Sequence, residues 1–364
     1  MKKPIVFCDF HHAGLLQSFI LLFEKRFGGE VYRPIGMDWA TQGFWKIYDH
    51  PATQEQFLSV GGATPDNTPK LNEVLGVRPI TDIDYPTVYI CKDIDSNFTN
   101  KAITFDGFMN LKIDIVIASI PQHIEPFKRL CELHPNKPKL IFQIGNAWSI
   151  EANGAKNIMA SAIVEDVPKD VANFITYHQE FDLDIFKPAY PYGNYEEPNP
   201  HISSFVNCFN ISDHFVQDWE LFQKVEKLMP SWHFKSFGGQ CRDGAAHGNE
   251  MVADFMRTSR FIWHTKNGGD GYGHIVFNTA AVARPCIVKK EYYRGKLAEK
   301  LFIDGETCIA IDNLNPQEIV NKIEYYNETD RYYKMCQNVY NNFKDKVNFD
   351  TEAQQISDFI DKLV

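Results

Sequence analysis

The feature that most constrains this chain lies at residues 261–285, Phe-Ile-Trp-His-Thr-Lys-Asn-Gly-Gly-Asp-Gly-Tyr-Gly-His-Ile-Val-Phe-Asn-Thr-Ala-Ala-Val-Ala-Arg-Pro. A β-rich run over 261–264 ends at a stretch with glycines at 268, 269, 271 and 273, and a helical pattern begins at His274. Glycine adopts backbone conformations closed to other residues and lets the main chain approach a neighbour closely. A helix start offers unbonded N–H groups and the positive end of the helix dipole. Strand, glycine loop and helix in this order make a cradle for an anionic group such as a diphosphate. The bland alternative is a turn that only joins strand to helix.

Similar alternation runs through the rest of the chain. Residues 4–10 read as a strand, and a helix opening at Gly14 carries Leu15, Phe19, Leu22 and Phe23 at helical spacing. Further strands are expected at 30–33, 87–91, 102–105, 113–119 and 139–144, with a helix from Pro121 to about Leu133. Residues 35–85 show no clear pattern. A proline-rich, aperiodic stretch over 184–202 marks an interdomain connection. Beyond it, strands at 205–209, 233–237, 261–264, 285–288 and 307–311 alternate with helices at 215–228, 249–257 and 274–283, and helices fill much of 315–343 and 350–362. The pattern predicts an α/β chain of two domains, 1–190 and 200–345, with a C-terminal helix at 346–364 packing back on the first.

A length of 364 residues suits two such cores. With 47 acidic and 37 basic side chains the net charge is −10, which argues against a surface coated in Lys and Arg for phosphates or anionic lipid. Eight cysteines form no C-x-x-C pair, and several sit in apolar runs, so reduced, buried thiols are expected. Nothing at the N-terminus reads as a signal peptide and nowhere do 18 consecutive apolar residues occur; the expectation is a cytoplasmic protein without membrane insertion.

Residues 261–285 resemble the donor-binding motif of family-4 retaining glycosyltransferases, which carry Glu-Gly-Phe-Gly, a second Glu, and a closing Ala-x-Gly-x-Pro. Asp270-Gly271-Tyr272-Gly273 matches the first part, Asn278 stands at the second Glu, and Ala283-Arg284-Pro285 matches the end. Asp304-Gly305-Glu306-Thr307 resembles the family's Asp-Gly-Glu-Thr stretch, and the likeness extends to Tyr340. Asp and Asn replace the two Glu residues. The family's Arg and Lys near the start of the C-terminal domain have no counterpart in 207–214; Lys266, Arg242, Arg294 and Lys296 are the substitutes, Lys266 and Lys296 favoured.

The resemblance implies a GT-B fold, two Rossmann-like domains facing each other across a cleft, with C-terminal helices. It implies a nucleotide-sugar donor, UDP-hexose by frequency in the family, as co-substrate, with no further cofactor and no metal. Asp270 would contact the sugar, Gly271, Tyr272, Gly273 and His274 the donor, and Asn278 its ribose, with Lys266, Lys296 and Gly14 also on the donor side. Retention of configuration is implied, the departing diphosphate helping to activate the acceptor.

Two further places carry chemistry. Asp9-Phe10-His11-His12-Ala13-Gly14 follows the first strand, where open α/β sheets bind ligands, and His11 or His12 can bind an acceptor or move a proton. His123 follows another strand in the same way. Asp82/Asp84, Asp93/Asp95 and Asp182/Asp184 spell D-x-D, a metal motif of the other glycosyltransferase architecture, but three copies in an acidic chain read as chance.

For the acceptor, residues 11–15 and 32–39 resemble chains of bacteriophage genomes, which points to DNA carrying a hydroxymethylpyrimidine, in the host cytoplasm. Such a base would be flipped out to react, with Trp39, Phe44, Trp45 and Tyr48 available for stacking. The net charge speaks against duplex binding. The alternatives are a surface glycan or protein acceptor, a catalytically silent nucleotide-sugar-binding protein, and a nucleotide-sugar epimerase.

Overall fold

The computed structural model describes residues 3–9, 13–34, 78–79, 88–92, 99–103, 105–145, 154–164, 166–189, 200–269 and 271–364. The chain divides into two compact units, Met1–Phe181 with Phe349–Val364, and Asp182–Asn348.

The first unit is built on β1 (Ile5–Cys8), β2 (Glu30–Pro34), β3 (Arg78–Pro79), β4 (Val88–Lys92), β5 (Thr99–Ile103), β6 (Ile115–Ala118), β7 (Lys139–Ile144), β8 (Asn157–Ala160) and β9 (Asn173–Thr176). They form one sheet in the order β3-β4-β5-β2-β1-β6-β7-β8-β9. From β5 to β9 every pairing is parallel; β4 runs antiparallel to both neighbours. Alternating side chains of β1 feed two cores. Phe7 packs with Phe108 and Phe127 on one face, and Val6 and Cys8 with Phe19, Phe23 and Ile356 on the other.

The described helices of this unit include α1 (Ala13–Phe19), continued by a π-helical segment (Ile20–Arg26), α2 (Phe105–Asn110) and α3 (Ile124–Leu133). The last helix of the chain, α9 (Phe349–Ile360), adds Ala353, Ile356 and Phe359 to the second core. Arg26 bridges Glu180 and Asp350 beneath it, and His178 meets Glu352 at 2.7 Å.

The second unit holds β10 (His201–Ser204), β11 (His233–Ser236), β12 (Phe261–Trp263), β13 (Cys286–Val288) and β14 (Cys308–Ala310), all parallel, in the order β11-β10-β12-β13-β14. Its helices are α4 (Val216–Leu228), α5 (Asn249–Thr258), α6 (His274–Ala281), α7 (Pro316–Asn327) and α8 (Thr329–Lys346). Asn315 and Glu318 start α7 with a reciprocal capping box. No described helix is long and apolar enough to cross a membrane.

Most expected elements stand within a few residues of their predicted places. One strand is misplaced: β10 is His201–Ser204, and 205–209 is loop. Phe205 and Val206 are apolar because they bury beside the sheet, while Cys208 turns the chain with φ of 57°. Strands β8 and β9 were not anticipated.

Candidate functional site

In each sheet two neighbouring strands send the chain on in opposite directions. In the first unit the chain winds outward from β1 through β2 on one side and from β6 through β7 on the other. In the second it does so from β10 toward β11 and from β12 toward β13. Loops leaving such neighbouring strands diverge to opposite faces and open a crevice at the carboxyl ends. Both chemistry-bearing segments sit there.

In the first unit Asp9 follows β1, and Ser119 and His123 follow β6. The Asp9 side chain is fully buried and His123 is 3% exposed. The Ser119 amide donates to Asp9 Oδ2 at 2.8 Å, its hydroxyl donates to Oδ1, and His123 Nδ1 lies 2.6 Å from Oδ2. With the carboxylate as acceptor, Nδ1 carries the proton and Nε2 presents a lone pair. Nε2 is buried with no hydrogen-bond partner among the described residues. The ring stacks on Phe127, centroids 5.5 Å apart, which fixes its plane. An imidazole oriented by a buried carboxylate, one nitrogen unclaimed, is built to take a proton or bind a hydroxyl. His11 and His12 lie outside the described residues. Gly14 is in the first turn of α1.

In the second unit β12 ends at Trp263, and the glycine loop fills the switch point before α6. Gly268, Gly269 and Gly273 have φ of 75°, 63° and 75°. Gly269 lies so close to the Tyr292 carbonyl and to Lys296 Nζ that a Cβ would overlap both. Lys296 Nζ donates to the Gly268 carbonyl. On the opposite side Asn267 Nδ2 donates to the His214 carbonyl at 3.3 Å. Gly273 occupies the N-cap of α6 and supplies no capping side chain to that helix start.

Tyr272 buries its ring flat on Phe277, 4.5 Å between centroids and 6° between planes. Asn278, one turn into α6, is 7% exposed, and its Oδ1 has no partner among the described residues. Gly271, Tyr272 and Gly273 lead from the loop into α6 at His274, Asn278 stands one turn further along that helix, and Lys296 sits on the Gly268 carbonyl. Lys266 is half-buried at the loop's start, while Asp270 lies outside the described residues.

Arg242 does not belong to this group. Its guanidinium bonds Glu226 at 2.8 Å, Asp243 at 3.1 Å and the Phe234 carbonyl at 2.6 Å, a structural knot that leaves it little to offer a ligand. Asp182 of the last D-x-D pair caps its own turn through the amides of Asp184 and Ile185; the other two pairs lie outside the described residues. No group of three or more potential metal ligands occurs among the described residues.

No protein-family model matches the sequence, and no curated protein matches it. Solved structures do match across the whole chain. HepE from Anabaena in complex with UDP and glucose superposes with a TM-score of 0.62 at 11% identity, covering 99% of this chain and 100% of that one. A glycosyltransferase from Rickettsia africae gives 0.59 at 12% identity, covering 99% and 98%. TarM, known also from S. aureus in complex with UDP, gives 0.58 at 11% identity, covering 99% and 100%. The class the fold defines is therefore GT-B, two Rossmann-like domains in one chain. The particular likeness is to structures solved with UDP or UDP-glucose bound.

Proposed function

We propose that this protein is a glycosyltransferase that moves a hexose from a UDP-hexose donor to an acceptor hydroxyl. The observation that carries the reading is the glycine loop at the switch point of the second unit, closed by Lys296 and leading into α6 through Gly273. In this reading the amides of Gly271–His274, with Lys266 and Lys296, hold the diphosphate; Asp270 contacts the sugar and Asn278 the ribose. The acceptor oxygen bonds to C1 of the sugar on the same face from which the diphosphate departs, as the bond from C1 to the diphosphate oxygen breaks. The diphosphate leaves with that electron pair, its charge met by the loop and the lysines. His123 Nε2 takes the acceptor's proton, and Asp9 stabilises the imidazolium so formed; His11 and His12, beside Asp9 in sequence, complete the acceptor side. A metal ion is not required in this scheme.

Retention of configuration and a hydroxymethylated base in phage DNA as acceptor are proposed on sequence resemblance alone. The test is mass spectrometry of the protein incubated with a panel of nucleotide sugars, with and without hydroxymethylcytosine or hydroxymethyluracil DNA and with and without EDTA. A hexose-sized gain on the DNA nucleoside that survives EDTA is expected, with the product's anomeric configuration read by NMR. Donor hydrolysis without DNA modification would keep the transferase and discard DNA. Binding without any turnover would mark a silent relic.

A further inference from the structure

Against the glycine loop lies a partly buried cluster that the scheme above does not use. Asp218, on α4, has a side chain only 2% exposed although it is a carboxylate. Its Oδ1 pairs with Lys289 Nζ at 2.7 Å and accepts from the Tyr292 hydroxyl at 3.2 Å, and Lys289 Nζ donates to that hydroxyl at 3.0 Å. Three groups from two distant parts of the chain close a triangle. Burial works against the Lys289 charge, but Asp218 and Tyr292 outweigh it and hold its pKa above the ordinary value.

The triangle grips the turn that follows β13. A second carboxylate, Asp312, grips the same turn from β14, accepting from the amides of Lys290 and Glu291 at 3.0 and 2.9 Å. What the turn presents outward is the Tyr292 carbonyl against Gly269 and the Lys296 ammonium on the Gly268 carbonyl. Displacing Tyr292 therefore displaces the seat of Gly269 and the root of Lys296 together. A buried ion pair is a weak source of stability, because desolvation cancels much of its attraction, whereas it does fix geometry.

We propose that Asp218, Lys289 and Tyr292 form a positioning triad that holds the glycine loop and Lys296 in the arrangement that receives a nucleoside diphosphate. The triad touches no ligand itself. Its role rests on the loop being the donor site, so the test separates the two ideas.

The variants are Tyr292→Phe, which removes one hydroxyl and leaves the ion pair, Asp218→Asn, and Lys289→Arg as the conservative control. Hydrogen exchange of the amides at 266–274 is followed without ligand, and UDP, GDP and ADP affinities are measured by calorimetry. In Tyr292→Phe and Asp218→Asn the loop amides are expected to exchange at least about fivefold faster while strands β10 and β12 keep their protection. Affinity for the preferred diphosphate falls about tenfold in both, the loss of turnover lies in donor KM rather than kcat, and Lys289→Arg stays near the parent.

Unchanged loop exchange in Tyr292→Phe would overturn the triad, whatever the protein binds. So would a uniform rise in exchange across the whole unit, which marks a merely structural role. Failure of the parent protein to bind any of the three diphosphates, with loop exchange still sensitive to Tyr292, would instead remove the donor reading and leave the triad standing.

Discussion

Asp9→Asn isolates the electrostatic part of the proposed chemistry. Asparagine is nearly isosteric, and the hydrogen-bond pattern tells how it can sit. Among the described residues Oδ2 receives both the Ser119 amide and His123 Nδ1, whereas Oδ1 receives the Ser119 hydroxyl alone. An Asn that places its carbonyl at the Oδ2 position keeps the first two bonds, and its NH2 group then donates to a Ser119 hydroxyl that has rotated to accept. The imidazole stays in place with the same tautomer.

What disappears is the negative charge facing the imidazolium. A hydrogen bond to a charged partner contributes about 1.5–3 kcal/mol against about 1 for a neutral pair. The difference, about 0.5–2 kcal/mol, corresponds to a loss of about 2- to 30-fold in kcat. Burial of both groups pushes the effect toward the upper end, because water does not screen the pair. The assay is steady-state transfer at saturating acceptor, with donor KM and melting temperature measured alongside. The reasoning fails if kcat stays within about twofold of the parent, or if the whole loss appears in donor KM.

Other outcomes follow from single positions. Gly269→Ala places a Cβ against the Tyr292 carbonyl at a left-handed φ that alone costs about 1–2 kcal/mol; thermal unfolding should show a lower midpoint, and calorimetry an undetectable UDP affinity. Asn278→Leu removes a buried Oδ1 that has no partner among the described residues, a group whose burial costs about 1–3 kcal/mol. The variant should melt no lower than the parent while UDP binds at least about tenfold more weakly; equal affinity would place the ribose elsewhere.

His134 supplies a pH dependence. It is completely buried, its Nε2–H serves the carbonyls of Phe108 and Leu111 at 3.0 and 3.1 Å, and its Nδ1 accepts from the Asn136 amide at 3.1 Å. Both nitrogens are used by the neutral ring, and burial lowers its pKa despite those carbonyls. The unfolded chain thus takes up the proton first, so this contribution to stability is complete above the ordinary histidine value, about 6.5, and drains away as pH falls below it. A melting curve series from pH 8 to 5 should flatten in His134→Gln.

The sequence disclosed elements whose signal is local and hid those whose logic is not. Strands β6 and β7 are apolar runs, and the glycine loop announces itself by composition. Strands β8 and β9 are four residues each and begin with Asn157 and Asn173, which look like turn residues. In the fold they pair side by side, Asn173 Nδ2 donating to Asn157 Oδ1 at 2.9 Å and Asn157 Nδ2 to the Leu140 carbonyl at 2.9 Å, so polar side chains here tie strands together. The Asp9–His123 pair spans 114 positions, a distance at which no spacing rule applies. Asp218 did leave a trace: it shares the buried face of α4 with Phe222 and Val225, at i, i+4 and i+7, where an unpaired acid would not be tolerated.

Charge near a loop is a poor guide to what binds there; what matters is whether the charge is already used. The bonds of Arg242 to Glu226, Asp243 and the Phe234 carbonyl explain its presence without a ligand. Lys296 differs in that it donates to a neutral carbonyl of the glycine loop, and a charge-assisted bond to a diphosphate exceeds one to a carbonyl. The same reasoning separates His123 from His134. Both are buried, but the second has donor and acceptor filled by backbone, whereas Nε2 of the first has no partner among the described residues. In the proposed reading, polar capacity left unfilled among the described residues, placed by parallel topology at the carboxyl ends of β6 and β12, separates the proposed reactive positions from the structural ones.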